Sequence, residues 1–107
     1  MITIAVYGSL KKGKYNHGLL ADSEYVGETT LSGTLYRVSS YPALVEEGNN
    51  EYPAEVYKVS EEVYNLVKSM EIGAGYKEVD IDGNKVYYAD TFLAEHCQQR
   101  CEEISSY

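Results

Sequence analysis

The chain has 107 residues, 44 % of them hydrophobic, and its 17 acidic against 9 basic side chains give a formal charge of −8. That length fits one domain, residues 1–107, with one modest core, and excludes two. The acidity repels nucleic-acid backbones and anionic membrane surfaces, and no apolar run approaches the about 20 residues of a spanning helix, so neither is expected as a partner.

Residues 2 to 7 alternate Ile2, Ile4 and Val6 with Thr3, Ala5 and Tyr7, a period of two that predicts a strand ending at Gly8. No basic, apolar leader precedes it, so a cytoplasmic location is expected. After a loop rich in Gly and Lys, Asn16 is a suitable N-cap for a short helix through Leu20 and Ala21. Tyr25 to Val38, interrupted by Gly27 and Gly33, predicts a strand or two with a bulge. Tyr41 to Val45 predicts a short edge strand entered through Pro42, and Glu46 to Asn50 an exposed turn. Ala54 to Val59 follows as another strand. Ser60 then caps a helix whose first turn holds Glu61 and Glu62, with Val63, Leu66, Val67 and Met70 as its apolar stripe and Gly73 and Gly75 at its end. Tyr76–Ile81 and Lys85–Thr91 predict a hairpin turned at Asp82-Gly83-Asn84, and a short helix from Ala94 to Glu103 closes the chain. Strands and helices mixed without βαβ alternation point to the α+β class, with a small mixed, barrel-like β-sheet and a few short helices.

Twelve tyrosines stand against one Phe and no Trp. Tyr supplies apolar area with a hydroxyl that needs a partner, which suits the wall of a polar cavity; the plain reading is packing on sheet faces. A helix turns about 100° per residue, so Glu71 falls about 90° from the centre of the predicted stripe, at the helix end where the dipole disfavours a carboxylate. Partial burial there raises its pKa and makes it a candidate general base; the plain alternative is a solvated glutamate. In Tyr7-Gly8-Ser9-Leu10, glycine after a strand lets successive backbone N–H groups face an anion, and Ser9 adds a hydroxyl; alone, this motif is also what a simple turn looks like. Tyr76 stands five residues after Glu71, where its hydroxyl can close the same site. His17 is read as capping or packing. Cys97 and Cys101, four apart in a helix, are read as free thiols, and with His96 they lack an evident fourth ligand, so no metal is expected.

Val6-Tyr7-Gly8-Ser9-Leu10-Lys11-Lys12-Gly13 with Asn16-His17 resembles the opening signature of the γ-glutamylcyclotransferase-like family, most closely the γ-glutamylamine cyclotransferases. Tyr41-Pro42-Ala43-Leu44-Val45 is similar to the family's second site segment, and Ala54-Glu55-Val56-Tyr57-Lys58-Val59 with the helix ending in Met70-Glu71 to its third. The likeness runs from Ile2 to about Asp90. The sequence departs from the pattern at Ile72, where glycine is usual, at Val67, where Asp is frequent, and at Ala54, where glycine often precedes Glu55.

The resemblance implies an enzyme that closes a γ-glutamyl group to 5-oxoproline and releases an amine or amino acid, without cofactor or metal. It implies Glu71 as the acid/base and Tyr7, Gly8, Ser9, Leu10 and Tyr76 around a small-molecule γ-glutamyl substrate, in a monomer or weak homodimer. The alternative from another class is a non-catalytic module that keeps the pocket for a small ligand or a protein.

Overall fold

The computed structural model describes residues 2–107. In chain order it contains β1 (Ile2–Val6), a 3-10 turn (His17–Leu20), β2 (Glu24–Val38), β3 (Tyr41–Val59), α1 (Glu61–Gly73), β4 (Tyr76–Ile81), β5 (Asn84–Ala89), α2 (Thr91–Arg100) and β6 (Glu102–Glu103). The strands form one six-stranded sheet in the order β4-β5-β1-β3-β2-β6, with β1 and β5 parallel and the other neighbours antiparallel. The fold is α+β, a curled sheet that makes a half-barrel with two α-helices.

Alternation along the strands divides the apolar side chains between the two sheet faces. Ile4, Val6, Ala43, Val45, Tyr57, Val59, Tyr87 and Ala89 pack on one face with Val67 of α1 and Cys97 of α2. Ala5, Tyr7, Leu44, Tyr52, Ala54, Val56, Val86 and Tyr88 pack together on the other. The helices therefore cover one face only, and the curl of the sheet encloses the other.

The long strands correct the sequence reading. Tyr41–Val45 is not a separate edge strand but the start of β3, an interior strand that continues through the expected turn at Glu46 to Asn50. The register passes from Thr34↔Val45 to Gly33↔Asn50, so residues 46–49 bulge out of the pairing, which also shifts by one residue between Tyr25 and Gly27. Thr34 holds the bulge by donating its hydroxyl to the Glu47 carbonyl at 2.8 Å. Gly33 permits it: its φ is +149°, and a Cβ there would lie 2.2 Å from the Val45 carbonyl oxygen. Glycines that read locally as breaks thus bend a strand instead of ending it.

Other boundaries move less. Asn16 precedes the 3-10 turn but its side chain does not cap it. The α2 helix begins at Thr91, capped by Asp90 accepting from Leu93 N at 2.8 Å, and ends at Arg100, so residues 102–103 pair with β2 instead of extending the helix. Ser60 caps α1 as expected, accepting from Val63 N at 3.2 Å. The hairpin turns on Asp82 and Gly83 alone, both at positive φ, with Asn84 already in β5.

Candidate active site

A cavity of about 360 Å³ opens where the end of β1, the starts of β3 and β4 and the last turn of α1 converge. It is lined by Tyr7, Gly8, Ser9 and Leu10, by Met70, Glu71 and Ala74 at the α1 end, and by Tyr76 and Tyr87 of the hairpin. Tyr15, Tyr41 and Tyr107 also line it. Every residue expected at the site from the sequence therefore borders one space.

The curl of β3 builds the loop wall. Its second half, Glu55 to Val59, pairs with β1, while its start passes the end of β1. A Cβ on Gly8 would come within 2.9 Å of Pro42 Cγ, so the loop packs on the proline ring only because residue 8 has no side chain. The loop's own oxygens are all engaged: the carbonyls of Gly8, Ser9 and Leu10 accept from Lys11 N, Asn16 N and His17 Nδ1, and Ser9 Oγ accepts from Asn16 Nδ2 at 2.9 Å. Glu55 of β3 anchors the next stretch by accepting from Lys12 N at 2.8 Å. By contrast, the N–H groups of Gly8, Ser9 and Leu10 donate to no group among the described residues. An anchored loop with satisfied carbonyls and free amides is suited to an anion or a developing oxyanion.

Glu71 reaches the cavity because the buried face of α1 is rotated from the predicted stripe. Leu66 is 56 % exposed, whereas Tyr64 joins Val63, Val67 and Met70 against the core. Replacing position 66 by 64 turns the stripe's centre toward Glu71, which is half-buried as a result. Its carboxyl has no hydrogen-bond or ionic partner among the described residues, and loss of water alone pushes its pKa up to about 7. The carboxyl oxygens are not sealed in, since no inaccessible side-chain polar atom lacks a partner. Among the described residues that line the cavity, Glu71 alone has a charged side chain.

The surrounding phenols are tied to the backbone. Tyr7 donates to the Tyr87 carbonyl at 2.6 Å and accepts from Leu44 N at 3.0 Å, and burial raises its pKa well above the ordinary tyrosine range. Tyr76 donates to the Pro42 carbonyl at 2.6 Å and is likewise raised by burial and then by the nearby Glu71. These two hydroxyls hold the walls together and stay un-ionised; they present ring edges, not free donors, to the cavity. Tyr107 donates to the Ser40 carbonyl at 3.1 Å beneath the Lys14 ammonium, 4.9 Å from its ring centre.

Sequence reasoning missed Tyr87, Tyr15 and Tyr107, which reach the cavity through long-range folding that no local pattern announces. Asn16, noted only as a cap, fixes Ser9 instead. His17 packs on Tyr57, ring centres 5.7 Å apart, as a structural residue. Ile72 is half exposed and lies off the cavity wall, and Val67, where the family often has Asp, is fully buried in the core, so neither departure alters the cavity lining. Cys97 is buried and Cys101 partly so, both as free thiols. No group of three or more potential metal ligands occurs among the described residues.

The family model described as gamma-glutamyl cyclotransferase, AIG2-like, matches residues 4–107. A Pyrococcus horikoshii protein provisionally named a γ-glutamylcyclotransferase is 35 % identical over 80 residues, 75 % of this chain and 68 % of that one. A Vibrio cholerae protein with the same provisional name is 42 % identical over 60 residues, 54 % of this chain but only 51 % of its own length. The crystal structure of that same P. horikoshii protein, described there as uncharacterized, aligns with a TM-score of 0.80 at 28 % identity, covering 97 % of this chain and 86 % of that one. An AIG2-like protein of Mus musculus aligns with a TM-score of 0.79 over 100 % of this chain and 88 % of that one; at 23 % identity that likeness concerns the fold alone. With the family model spanning nearly its whole length, this chain belongs to the gamma-glutamyl cyclotransferase, AIG2-like family.

Proposed function

We propose that this protein is a γ-glutamyl cyclotransferase in which Glu71 is the acid/base and the Tyr7-Gly8-Ser9-Leu10 loop holds the glutamyl moiety. The observation that carries the reading is the Glu71 carboxyl, half-buried, unpartnered and raised to about 7, lining the same cavity as a loop with unused backbone amides. A carboxylate so prepared has no structural use in the fold, and a pKa near neutrality lets it take and return a proton at the working pH.

The chemistry follows from that arrangement. The substrate's α-ammonium gives a proton to Glu71, and the freed amine attacks its own γ-carbonyl carbon. A C–N bond forms as the carbonyl π pair moves onto oxygen. The amides of Gly8, Ser9 and Leu10 are suited either to that oxygen or to the substrate's α-carboxylate. The attacking nitrogen, now cationic, gives up its second proton, and the oxygen pair re-forms the carbonyl. The bond to the departing nitrogen breaks with its pair going to that nitrogen, which takes up both protons, the first of them from Glu71, and leaves as an ammonium. The products are 5-oxoproline and a free amine or amino acid, with no net oxidation or proton release. Because nucleophile and electrophile belong to one molecule, holding the glutamyl chain bent supplies much of the rate enhancement.

The test is 5-oxoproline release from a panel of γ-glutamyl amines and γ-glutamyl amino acids, with a γ-glutamylamine as the first substrate. Native protein is expected to turn over at least one member, and folded Glu71→Gln, which keeps the shape but takes no proton, to lose that turnover. A native protein that binds panel members without forming product would be the non-catalytic module instead. Ile72, a departure from the family pattern, lies outside the cavity lining.

A further inference from the structure

Outside the cavity lining, a second carboxylate joins three elements. Glu78 of β4 accepts from the Tyr64 hydroxyl of α1 at 2.5 Å and from the Tyr87 hydroxyl of β5 at 3.0 Å, both on Oε1. Its Oε2 lies 3.5 Å from Lys68 Nζ, one helical turn beyond Tyr64 on α1. The Tyr87 ring lines the cavity, and the Tyr87 carbonyl receives the Tyr7 hydroxyl. One connected set of bonds therefore runs from α1 through Glu78 to the Tyr87 wall and on to the end of β1.

We propose that Glu78 is a positioning residue for this site, its carboxylate setting how closely the helix that carries Glu71 lies against the Tyr87 wall. The proposal rests on the acid/base reading of Glu71. Tyr64 is also the residue whose burial turns the face of α1 toward the cavity, so the bond that holds Tyr64 to Glu78 fixes the rotation that presents Glu71. Hydrogen bonds to an ionised oxygen are about twice as strong as neutral ones, and two converge here on one atom. The titratable groups facing Glu71 are phenols: Tyr7 just after β1, Tyr76 and Tyr87 from the hairpin, and Tyr15, Tyr41 and Tyr107, with Cys97 of α2 near Tyr76. Among the described residues no other charged side chain lines the cavity, so loss of water raises the Glu71 pKa, and that loss of water depends on how tightly α1 is held.

The test uses the full chain as native protein, Glu78→Gln and Tyr64→Phe. In each, the Glu71 carboxyl is titrated by carbon-detected NMR and kcat and KM are measured for 5-oxoproline release. Loosening α1 is expected to admit water and lower the Glu71 midpoint by about one unit from its native value. It should lower kcat by roughly 10- to 100-fold with KM changed by less than about twofold. A folded variant with native midpoint and native kcat, even at reduced melting temperature, would make Glu78 a stability clip and overturn the proposal. If Glu78→Gln does not fold, Tyr64→Phe, which removes one hydroxyl, decides by the same readouts. The titration needs no turnover: an inactive native protein would defeat the enzyme reading, while the midpoints would still decide what Glu78 does.

Discussion

Glu71 and Glu78 stand on either side of the α1–β4 connection, and their surroundings are opposite. Glu71 faces a cavity with no partner, and burial raises its pKa to about 7. Glu78 is also drawn upward by burial, but the hydroxyls of Tyr64 and Tyr87 and the ammonium of Lys68 outweigh this and bring it below the ordinary range. The same residue type thus has its pKa raised at one position and lowered a short distance away. The difference lies in what donates to the carboxyl, not in burial alone.

The contrast is broken most severely at Glu71. Glu71→Gln should lower 5-oxoproline release by roughly 10²- to 10⁴-fold, the range of a positioned acid/base, measured under saturating substrate. The same variant should gain stability. A folded-state pKa above the unfolded value means that the native state binds the proton more tightly, so this group favours folding below about pH 4.5 and the advantage drains away as pH rises to about 7. Above that, native protein should carry a cost of about 3 kcal/mol that the glutamine avoids, seen as a rising stability difference between the two in denaturant titrations from pH 4 to 8. Glu78 should show the reverse slope. Its lowered pKa gives stability present above the ordinary carboxylate range and lost on acidification, so Glu78→Gln should flatten the acid limb of the stability curve.

Smaller effects test the scaffold around the pair. Gly8→Ala should cost about 1–3 kcal/mol as the new methyl meets Pro42, and should raise KM because the loop amides shift with it. Ser60→Ala should cost about 1 kcal/mol through the lost cap of α1, with kcat unchanged if the far end of the helix stays pinned at Glu78.

Much of this architecture was legible in local sequence. The alternation of Ile2 to Tyr7, the Ser60 cap and the Asp82-Gly83 turn each follow from short-range chemistry, and each stands in the structure. The length of β3 was not legible, because glycine and asparagine at 48 to 50 resemble a turn and only pairing with β2 shows a bulge. The face of α1 was misjudged at one position: counting Leu66 in the stripe and leaving Tyr64 out ignores that a tyrosine can pack its ring against the core while its hydroxyl finds Glu78. That single exchange separates a glutamate at the edge of a helix from one that enters a cavity. The resemblance to the family singled out Glu71 and the loop, whereas helix position alone favoured a solvated side chain. Glu78, Tyr87 and Tyr107 are joined to the site only through the fold.

The central claim is tested most directly by placing two midpoints side by side: the carboxyl titration of Glu71 in the free native protein and the acid limb of kcat/KM for a γ-glutamylamine. Both are expected near pH 7, and both should disappear together in Glu71→Gln. A Glu71 that titrates in the ordinary carboxylate range, or an acid limb that survives the substitution, would contradict its role as the acid/base.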